Sequence, residues 1–451
     1  VNVTADGRYA VISSTPGASG NALSIIDLQH DEWTVRPIIR AYDHNWAVVG
    51  NDGSQLFLAT DEGAERGKIV LLDLAEPERA FHDIVAEQEG TLNDATLLGG
   101  RLIVTYLVDA KADIRRYQLD GAPDGTVQLP GIGTAGGFRG RPDEAEAYFV
   151  FTAYNAPTTI YRYDVASRTL TVWARPDVAI DLGRIVVEQQ FYLSKDGTRV
   201  PMFVIRRSDV RAPAPTILYG YGGYGISLVP YYSPAILAWV DAGGTYAVAN
   251  LRGGGEYGKS WYEAGRLHKK RNAFDDFIAA AEYLKQTKIA AENGLAIQGE
   301  SNGGLLVGAV VNQRPDLFTA ALVGVGVLDM LRFTHFTNGQ FWIGDYGDPA
   351  KEDDFRNLLS YSPYHTIHSC SQYPAILVTT ADTDDRVVPA HSFKYVAALQ
   401  GADLGDRPRI LRVDTRAGHG TGKPIGKELD ETADLLAFAA RWAGMEEGGH
   451  P

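Results

Sequence analysis

Hydrophobic residues in about the first 175 positions occur in short runs that are separated by turn residues. Residues 9–12 and 56–59 are two of these runs, and an Asp-Gly pair precedes each of them. Short apolar runs bounded by such turns are typical of β-strands, whereas the spacing of an amphipathic helix is scarce here. This part of the chain is therefore predicted to be all β.

Several strand-like segments of this region close on an aspartate, and these aspartates recur at a nearly constant interval. Asp27, Asp73, Asp120 and Asp164 are separated by 46, 47 and 44 residues. Such a period is expected of propeller blades with four short strands, the alternative being unrelated hairpins that happen to be evenly spaced. Because a propeller hides its sheet edges by closing into a ring, four blade ends predict a propeller that is incomplete on its N-terminal side.

From about residue 185 the hydrophobic pattern changes. Strand-like runs at 216–219, 295–298 and 375–379 now alternate with helical stretches at 274–285 and 305–312. Alternating strands and helices indicate a sheet rich in parallel strands with helices on both faces. We therefore predict two domains, a β-propeller portion over residues 1–178 and an α/β domain over residues 179–451.

Composition and charge exclude several classes of function. Of the 451 residues, 45% are hydrophobic and 22% charged, as in ordinary globular proteins. The formal net charge of -14 repels a phosphate backbone, so nucleic acid is not an expected partner. No run approaches the roughly 18 apolar residues of a membrane-spanning helix, and we expect a soluble protein of the cytoplasm or periplasm. The single cysteine, Cys370, permits no internal disulfide, and a first residue Val1 suggests that the native N-terminus lies elsewhere.

A Gly-x-Ser-x-Gly pattern places Ser301 between a predicted strand and a predicted helix. This is the setting of the nucleophile elbow of the α/β hydrolase fold, a turn so sharp that small residues must flank the serine. Gly299 and Gly303 meet that requirement. The elbow also puts the backbone N–H of Asn302 at a helix N-terminus, where it can face a developing oxyanion. The sequence thus predicts a serine hydrolase with Ser301 as the nucleophile.

The general base on this fold is a histidine that follows the nucleophile and the acid in the chain. His419 is favoured because it lies between small residues in a loop after the strand-like run 410–413. The acid should follow the preceding strand, where Asp382, Asp384 and Asp385 occur together. One buried carboxylate is enough to orient the imidazole, so these residues alone leave the choice open. The other downstream histidines are His335, His365, His368, His391 and His450.

Further motifs between about residues 185 and 445 closely resemble those of the prolyl oligopeptidase family. The matching segments read LYGYGG at 218–223, ANLRGGGEYG at 249–258, SNGGLLV at 301–307, NQRPDLF at 312–318, DDRVVP at 384–389 and AGHG at 417–420. Their combination is highly specific. The resemblance implies an α/β hydrolase domain joined to an all-β propeller that caps the active site.

The resemblance also implies roles for the residues around Ser301. Asp384 matches the catalytic acid of the family, and Tyr221 matches a tyrosine whose hydroxyl joins the backbone N–H of Asn302 in the oxyanion hole. Without the resemblance, Tyr221 reads equally well as a packing tyrosine in a glycine-rich loop.

Four residues match the substrate-binding positions of the family. Arg386 matches an arginine that binds a peptide carbonyl on the N-terminal side of the proline. Trp342 matches a tryptophan that stacks on the proline ring, and Tyr346 and Val327 match residues lining the same pocket. On the residues alone, Trp342 could be an ordinary core tryptophan, and Arg386 could form a salt bridge with Asp382 or Asp385.

The implied activity is that of a serine endopeptidase that cleaves short peptides after proline through an acyl-enzyme. Such a reaction needs no metal or cofactor, and the family expectation is a monomer. The alternatives are a related oligopeptidase that cleaves after basic residues, a simple esterase, and a binding scaffold with an inactive hydrolase domain. One departure from the family is Glu300, where glycine is more common, and a buried glutamate there would need a partner.

Overall fold

A computed structural model describes residues 1–15, 20–30, 32–76, 80–420 and 422–445 of the chain. These residues form two compact units. One unit contains residues 1–179, 229–232 and 257–260, and the other contains residues 180–228, 233–256 and those from 261 onward. Within the described ranges, no helix combines the length and hydropathy needed to cross a bilayer. His450, one of the histidines considered above, lies outside the described residues.

Among its described residues, the first unit is built from four sheets, each with four antiparallel strands that neighbour one another in chain order. The strands are β1 (Asn2–Val3), β2 (Tyr9–Ser14), β3 (Ala22–Asp27), β4 (Arg36–Ile39), β5 (Trp46–Asp52), β6 (Gln55–Thr60), β7 (Lys68–Asp73), β8 (Phe81–Val85), β9 (Thr91–Leu98), β10 (Arg101–Val108), β11 (Lys111–Tyr117), β12 (Pro123–Thr126), β13 (Thr134–Gly140), β14 (Glu146–Ala153), β15 (Ala156–Asp164) and β16 (Leu170–Ala174). The prediction of four-stranded blades is confirmed.

The aspartate repeat coincides with one strand of each blade. Asp27, Asp73 and Asp164 are the last residues of β3, β7 and β15, and Asp120 lies three residues beyond β11. These are the third strands of their sheets rather than the second strands of separate hairpins. The sequence period therefore reports the length of one complete blade.

The inner strands are apolar at consecutive positions because both of their faces are buried. In β6, Leu56 and Leu58 pack in a cluster with residues of the first sheet. Their neighbours Phe57 and Ala59 point to the opposite face and pack in a cluster with residues of the third sheet. Side chains alternate between the two faces of a strand, so a strand between two sheets loses the apolar-polar alternation of a half-exposed strand.

The second unit is organised around one sheet of eight strands. They are β17 (Ile185–Leu193), β18 (Arg199–Arg207), β19 (Ala214–Gly220), β20 (Thr245–Ala249), β21 (Ala290–Glu300), β22 (Ala320–Gly324), β23 (Ala375–Ala381) and β24 (Arg409–Asp414). Their spatial order is β17-β18-β20-β19-β21-β22-β23-β24. β18 pairs antiparallel with both β17 and β20, and all the other neighbours are parallel.

Helices follow the parallel strands along the chain. They are α1 (Pro234–Asp241), α2 (Lys259–Glu263), α3 (Arg271–Gln286), α4 (Asn302–Gln313), α5 (Ile343–Tyr346), α6 (Glu352–Leu359), α7 (Ala390–Gly401) and α8 (Ile425–Ala443), with 3-10 helices at Leu182–Arg184, Leu267–Lys269, Pro315–Leu317, Phe333–His335 and Gly339–Trp342. Every residue of β22 and β23 is buried, so both faces of the sheet are covered there. The predicted α/β hydrolase architecture is confirmed.

A buried carboxyl group in the second unit makes stability depend on pH. Oε1 of Glu256 accepts hydrogen bonds from the backbone N–H of Leu228 (2.9 Å) and from Nδ2 of Asn250 (3.2 Å). Burial raises the pKa of Glu256 to about 7. The folded chain therefore keeps this proton up to about pH 7, whereas the unfolded chain releases it near the ordinary value for glutamate.

The stability that Glu256 contributes is therefore present at low pH and lost as the pH rises through about 7. Relative to Glu256→Gln, which cannot ionise, the wild-type free energy of unfolding should fall by on the order of 2 kcal/mol between pH 5.5 and pH 8. Urea unfolding of both proteins at the two pH values measures this difference. Glu263→Gln, at a half-exposed position, is the control and should show no such difference. Parallel pH dependence in all three proteins would contradict the prediction.

Candidate active site

The predicted site residues follow the carboxyl ends of neighbouring parallel strands. Tyr221 follows β19, Ser301 follows β21, Asp384 is three residues beyond β23, and His419 is five residues beyond β24. Parallel strands bring their carboxyl ends to one edge of the sheet, and loops at that edge carry the chemistry of α/β enzymes. The sheet therefore gathers these loops although the residues are far apart in sequence.

Ser301 has the backbone conformation of a nucleophile elbow. It precedes α4 with φ 57° and ψ -115°, a conformation that is costly for a residue with a side chain. The backbone N–H of Ser301 donates to the carbonyl of Gly324 (2.9 Å) and anchors the turn on β22. A Cβ at position 299 would lie 2.3 Å from the carbonyl oxygen of Gly303, so no larger residue fits there. The turn thus places the half-buried serine at the sheet edge.

His419 and Asp384 form a hydrogen-bonded pair. Nδ1 of His419 lies 2.6 Å from Oδ2 of Asp384, whose carboxylate is buried. The other oxygen, Oδ1, accepts hydrogen bonds from the backbone N–H groups of Arg386 (3.0 Å) and Val387 (2.9 Å). A carboxylate held from both sides in this way can fix the imidazole with its proton on Nδ1 and leave Nε2 free to accept one.

The other two aspartates of this loop make different contacts. Oδ1 of Asp382 lies 3.4 Å from the backbone nitrogen of Ala417, and the side chain of Asp385 is exposed. The hydroxyl of Thr383 donates to the carbonyl of Ala417 (2.7 Å). This hydrogen bond joins the loop that carries Asp384 to the loop that carries His419. Of the three aspartates, Asp384 is therefore the one that contacts His419.

His391 shows how a structural histidine differs from His419. It lies in the first turn of α7 and is buried, and its Nδ1 accepts a hydrogen bond from the backbone N–H of Asp329 (3.1 Å). Burial lowers the pKa of His391 to about 4, so this ring stays neutral. Because Nδ1 already accepts a backbone hydrogen bond and the ring is buried, His391 is explained as a structural residue.

Two donors lie at Ser301. The Ser301 side chain lies close enough to the Tyr221 hydroxyl to lower its pKa, but burial raises the pKa of Tyr221 by more, so the phenol stays protonated. Asn302 is the first residue of α4, and a backbone N–H in the first turn of a helix has no partner within that helix. Both groups can therefore donate to negative charge that develops beside the serine.

A wall of aromatic side chains lies beside these donors. The ring of Trp342 is half-buried and stacks on Phe333, with 6.4 Å between ring centroids and 12° between ring planes. Tyr346 and Val327 are buried in the same hydrophobic cluster, and Trp342 packs against it. The hydroxyl of Tyr346 donates to Oδ1 of Asn302 (3.0 Å), so this wall is joined directly to the elbow.

Two residues of this wall carried no signal in the sequence. Tyr224 packs edge-on against Tyr346 with 5.7 Å between ring centroids. Asp345 is buried, and its oxygens accept from the backbone N–H of Tyr224 (3.1 Å) and the hydroxyl of Tyr262 (2.5 Å). In the sequence, nothing distinguishes the buried Asp345 from an aspartate at the surface. Its role here is to attach α5 to the glycine-rich loop that follows β19.

Arg386 presents its guanidinium to solvent. The side chain is exposed, and among the ion pairs of the described residues none joins Arg386 to Asp382 or Asp385. Its charge is close enough to Tyr221 to lower the pKa of that hydroxyl, against the larger effect of burial. Arg386 is therefore available to a ligand near Tyr221. Part of the Glu300 side chain is exposed, yet burial of its carboxyl group raises the pKa of Glu300, and the charge of nearby His419 opposes this effect.

The site residues lie in two pairs: Asp384 is hydrogen bonded to His419, and Tyr221 lies beside Ser301. A bond between Ser301 and His419 is not among those of the described residues. In the parts of the chain that the structure describes, no three histidine, cysteine, aspartate or glutamate side chains are grouped to hold a metal ion.

Comparison with known families matches most of the chain. A model of the prolyl oligopeptidase family matches residues 230–446, and a model of the prolyl oligopeptidase N-terminal β-propeller domain matches residues 1–176. Prolyl endopeptidase of Elizabethkingia miricola is 42% identical over 448 residues, which are 98% of this chain and 63% of that protein. Prolyl oligopeptidase A of Amanita bisporigera is 38% identical over 98% of this chain and 60% of its own length.

Solved structures give the same result. A structure from a study of two prolyl endopeptidases has a TM-score of 0.83 and 47% identity, covering 100% of this chain and 65% of its own. Prolyl oligopeptidase B of Galerina marginata, bound to a 35-residue hydrolysis and macrocyclisation substrate, has a TM-score of 0.94 and 33% identity over 99% of this chain and 64% of its own. The chain thus spans a little under two thirds of the length of these relatives.

Proposed function

This chain belongs to the prolyl oligopeptidase family, and from that membership we propose that it is a serine endopeptidase that acts as a monomer and cleaves short peptides after proline. Ser301 is the nucleophile, His419 the general base and Asp384 the residue that orients His419. The observation that carries the proposal is the 2.6 Å contact between Nδ1 of His419 and Oδ2 of Asp384, at the same sheet edge as the strained Ser301.

Acylation begins when Oγ of Ser301 attacks the carbonyl carbon of the proline residue. Its proton passes to Nε2 of His419, and the resulting imidazolium is stabilised by Asp384. This step requires a Ser301–His419 hydrogen bond, and such bonds often tighten only when substrate is bound. His419 then gives the proton to the leaving amine. A water molecule, activated in the same way, hydrolyses the acyl-enzyme and releases the new carboxylate.

The tetrahedral intermediate carries its negative charge on the former carbonyl oxygen. The Tyr221 hydroxyl and the Asn302 backbone N–H donate to that oxygen. Both donors are in place before the charge develops, so they need no reorganisation during the reaction. The raised pKa of Tyr221 supports this role, since an ionised phenolate could not donate.

The aromatic wall beside the elbow suits a proline side chain. A flat indole such as Trp342 offers a large apolar surface to the rigid pyrrolidine ring, and Val327 and Tyr346 belong to the hydrophobic cluster on which Trp342 packs. The exposed guanidinium of Arg386 can donate to a peptide carbonyl on the N-terminal side of the proline. Preference for a basic residue would need a free carboxylate here, but both oxygens of the buried Asp345 already accept hydrogen bonds.

The test is a set of chromogenic peptides that differ only in the residue before the scissile bond, proline, arginine or phenylalanine, together with a simple chromogenic ester. We expect the proline peptide to have the highest kcat/KM and Ser301→Ala to be inert on all four substrates. A preference for arginine would overturn the proline specificity. If the wild type and Ser301→Ala are equally inert on all substrates, the proposed enzymatic function is wrong. A binding scaffold with an inactive hydrolase domain is then the remaining alternative.

A further inference from the structure

A buried lysine lies directly behind the glycine-rich loop. Lys270 is between the 3-10 helix Leu267–Lys269 and α3, and its side chain is almost fully buried, whereas the adjacent Lys269 is exposed. None of the ion pairs among the described residues includes Lys270. Asp345 acts on it only at longer range, and the ammonium lies over the ring of Tyr346, 5.4 Å from the centroid.

The position of Lys270 is energetically unfavourable for a cation. Removal of an ammonium from water is costly, and Lys270 also precedes the first turn of α3, where the helix dipole disfavours positive charge. Burial accordingly lowers the pKa of Lys270 to about 8. The contacts of Lys270 must therefore compensate a substantial cost.

Two hydrogen bonds of Lys270 join the two segments that carry the candidate oxyanion donors. Nζ donates to the carbonyl of Gly222 (2.8 Å), next to Tyr221, and to Oδ1 of the Asn302 side chain (2.8 Å). The Gly222 contact holds the loop after β19, and the Asn302 contact holds the first turn of α4. One ammonium therefore fixes the distance between the two segments.

The ammonium also sets the orientation of the Asn302 carboxamide. The ammonium of Lys270 and the hydroxyl of Tyr346 both donate to the Asn302 carboxamide from the same side. The carboxamide oxygen must therefore face these two donors, and its NH₂ group must face away from them. In that orientation Nδ2 of Asn302 donates to the carbonyl of Tyr221 (2.5 Å). The close approach is possible because residue 223 is glycine, where a Cβ would lie 2.6 Å from Nδ2 of Asn302.

We propose that Lys270 is the positioning residue of the oxyanion hole, because its ammonium holds the Asn302 carboxamide and the Gly222 carbonyl and thereby sets the Tyr221 hydroxyl and the Asn302 N–H at Ser301. This inference rests on the proposed acyl-transfer function. It assigns the Asn302 side chain a task distinct from that of its backbone. Lys270 itself does not touch the substrate.

The test compares Lys270→Met with Lys269→Met, which removes the same group from the exposed neighbour. With the proline peptide, we expect Lys270→Met to lower kcat about 10- to 100-fold with KM within about twofold, since misplacement of a group by about 1 Å costs rates of this order. The inhibition constant of a peptide aldehyde ending in prolinal should rise by the same factor, because its hemiacetal oxygen occupies the hole. Inhibition by the carboxylate product and the activity of Lys269→Met should not change.

A double variant separates positioning from a general loss of structure. If Lys270 acts through the Tyr221 hydroxyl, Lys270→Met should cost much less in Tyr221→Phe than in the wild type. Additive losses, an unchanged aldehyde constant, or kcat of Lys270→Met within about twofold of wild type would each overturn the inference. If Lys270→Met does not fold, Lys270→Gln is measured with the same readouts.

The outcomes for the two proposals are distinct. If the wild-type chain cleaves only the ester, the proposed proline specificity is wrong. The role of Lys270 can still be tested with the ester, because any acyl transfer at Ser301 uses the same oxyanion hole. A wild-type chain inert on peptide and ester alike would overturn both proposals.

Discussion

Replacement of Asp384 with asparagine should lower kcat by about 10⁴-fold, the loss seen when the acid of a comparable triad becomes an amide. Oδ1 of residue 384 can still accept from the N–H groups of Arg386 and Val387, so the loop should keep its shape. The NH₂ group must then face Nδ1 of His419, which forces the imidazole proton onto Nε2. In that tautomer His419 cannot accept the proton of Ser301.

Steady-state kinetics with the proline peptide measure this effect, and KM should change little because the Asp384 carboxylate is buried against His419. Asp385→Asn is the matched control, since its exposed side chain is adjacent in sequence and makes no contact with His419 among the described hydrogen bonds. We expect Asp385→Asn to retain kcat within about twofold. Less than a tenfold loss in Asp384→Asn would show that Asp384 does not orient the base, and a comparable loss in Asp385→Asn would show that the effect is not specific to Asp384.

Removal of one oxygen atom from Tyr221 should have the second largest effect. Loss of a single oxyanion donor costs about 10²- to 10³-fold in kcat in comparable enzymes, and we expect Tyr221→Phe to fall in this range. The phenyl ring keeps the packing of the loop, so KM and the melting temperature should stay close to those of the wild type. The measurement is kcat and KM on the proline peptide, with the prolinal aldehyde as a probe of the hole.

Tyr42→Phe removes the same atom from an exposed tyrosine of the first unit and serves as the control. Its kinetics should equal those of the wild type. A Tyr221→Phe enzyme with kcat/KM within about threefold of wild type would mean that the hydroxyl packs at Ser301 without stabilising the oxyanion. The Asn302 backbone N–H would then be the sole donor of the proposed pair.

Much of the fold is predictable because local patterns agree with the tertiary structure. The interval between Asp27, Asp73, Asp120 and Asp164 is the length of a blade, and the apolar run in β6 follows from burial on both faces. The strand, turn and helix around Ser301 are equally local, since Gly299 is required by the nearby Gly303 carbonyl. Such features need only residues that are close in sequence.

The parts of the candidate site that escape sequence reasoning are those assembled from distant segments. The three neighbouring aspartates differ only in the direction of their side chains within one turn, and composition does not specify that direction. The sequence likewise does not distinguish Lys269 from Lys270. Lys269 is exposed, whereas Lys270 is buried and hydrogen bonded to Asn302, 32 residues away. The contact of Asp345 with Tyr224 spans 121 residues and has no local signature.

The packing of the propeller sheets on both faces has a consequence for how the first unit unfolds. A sheet such as β5–β8 shares one apolar cluster with its predecessor and another with its successor, so it is not stable alone. The unit then behaves as a nearly one-dimensional array, in which each member is stabilised mainly by its immediate neighbours. A substitution that destabilises one blade should lower the cooperativity of unfolding most in the two neighbouring blades. This effect should decrease with each further blade.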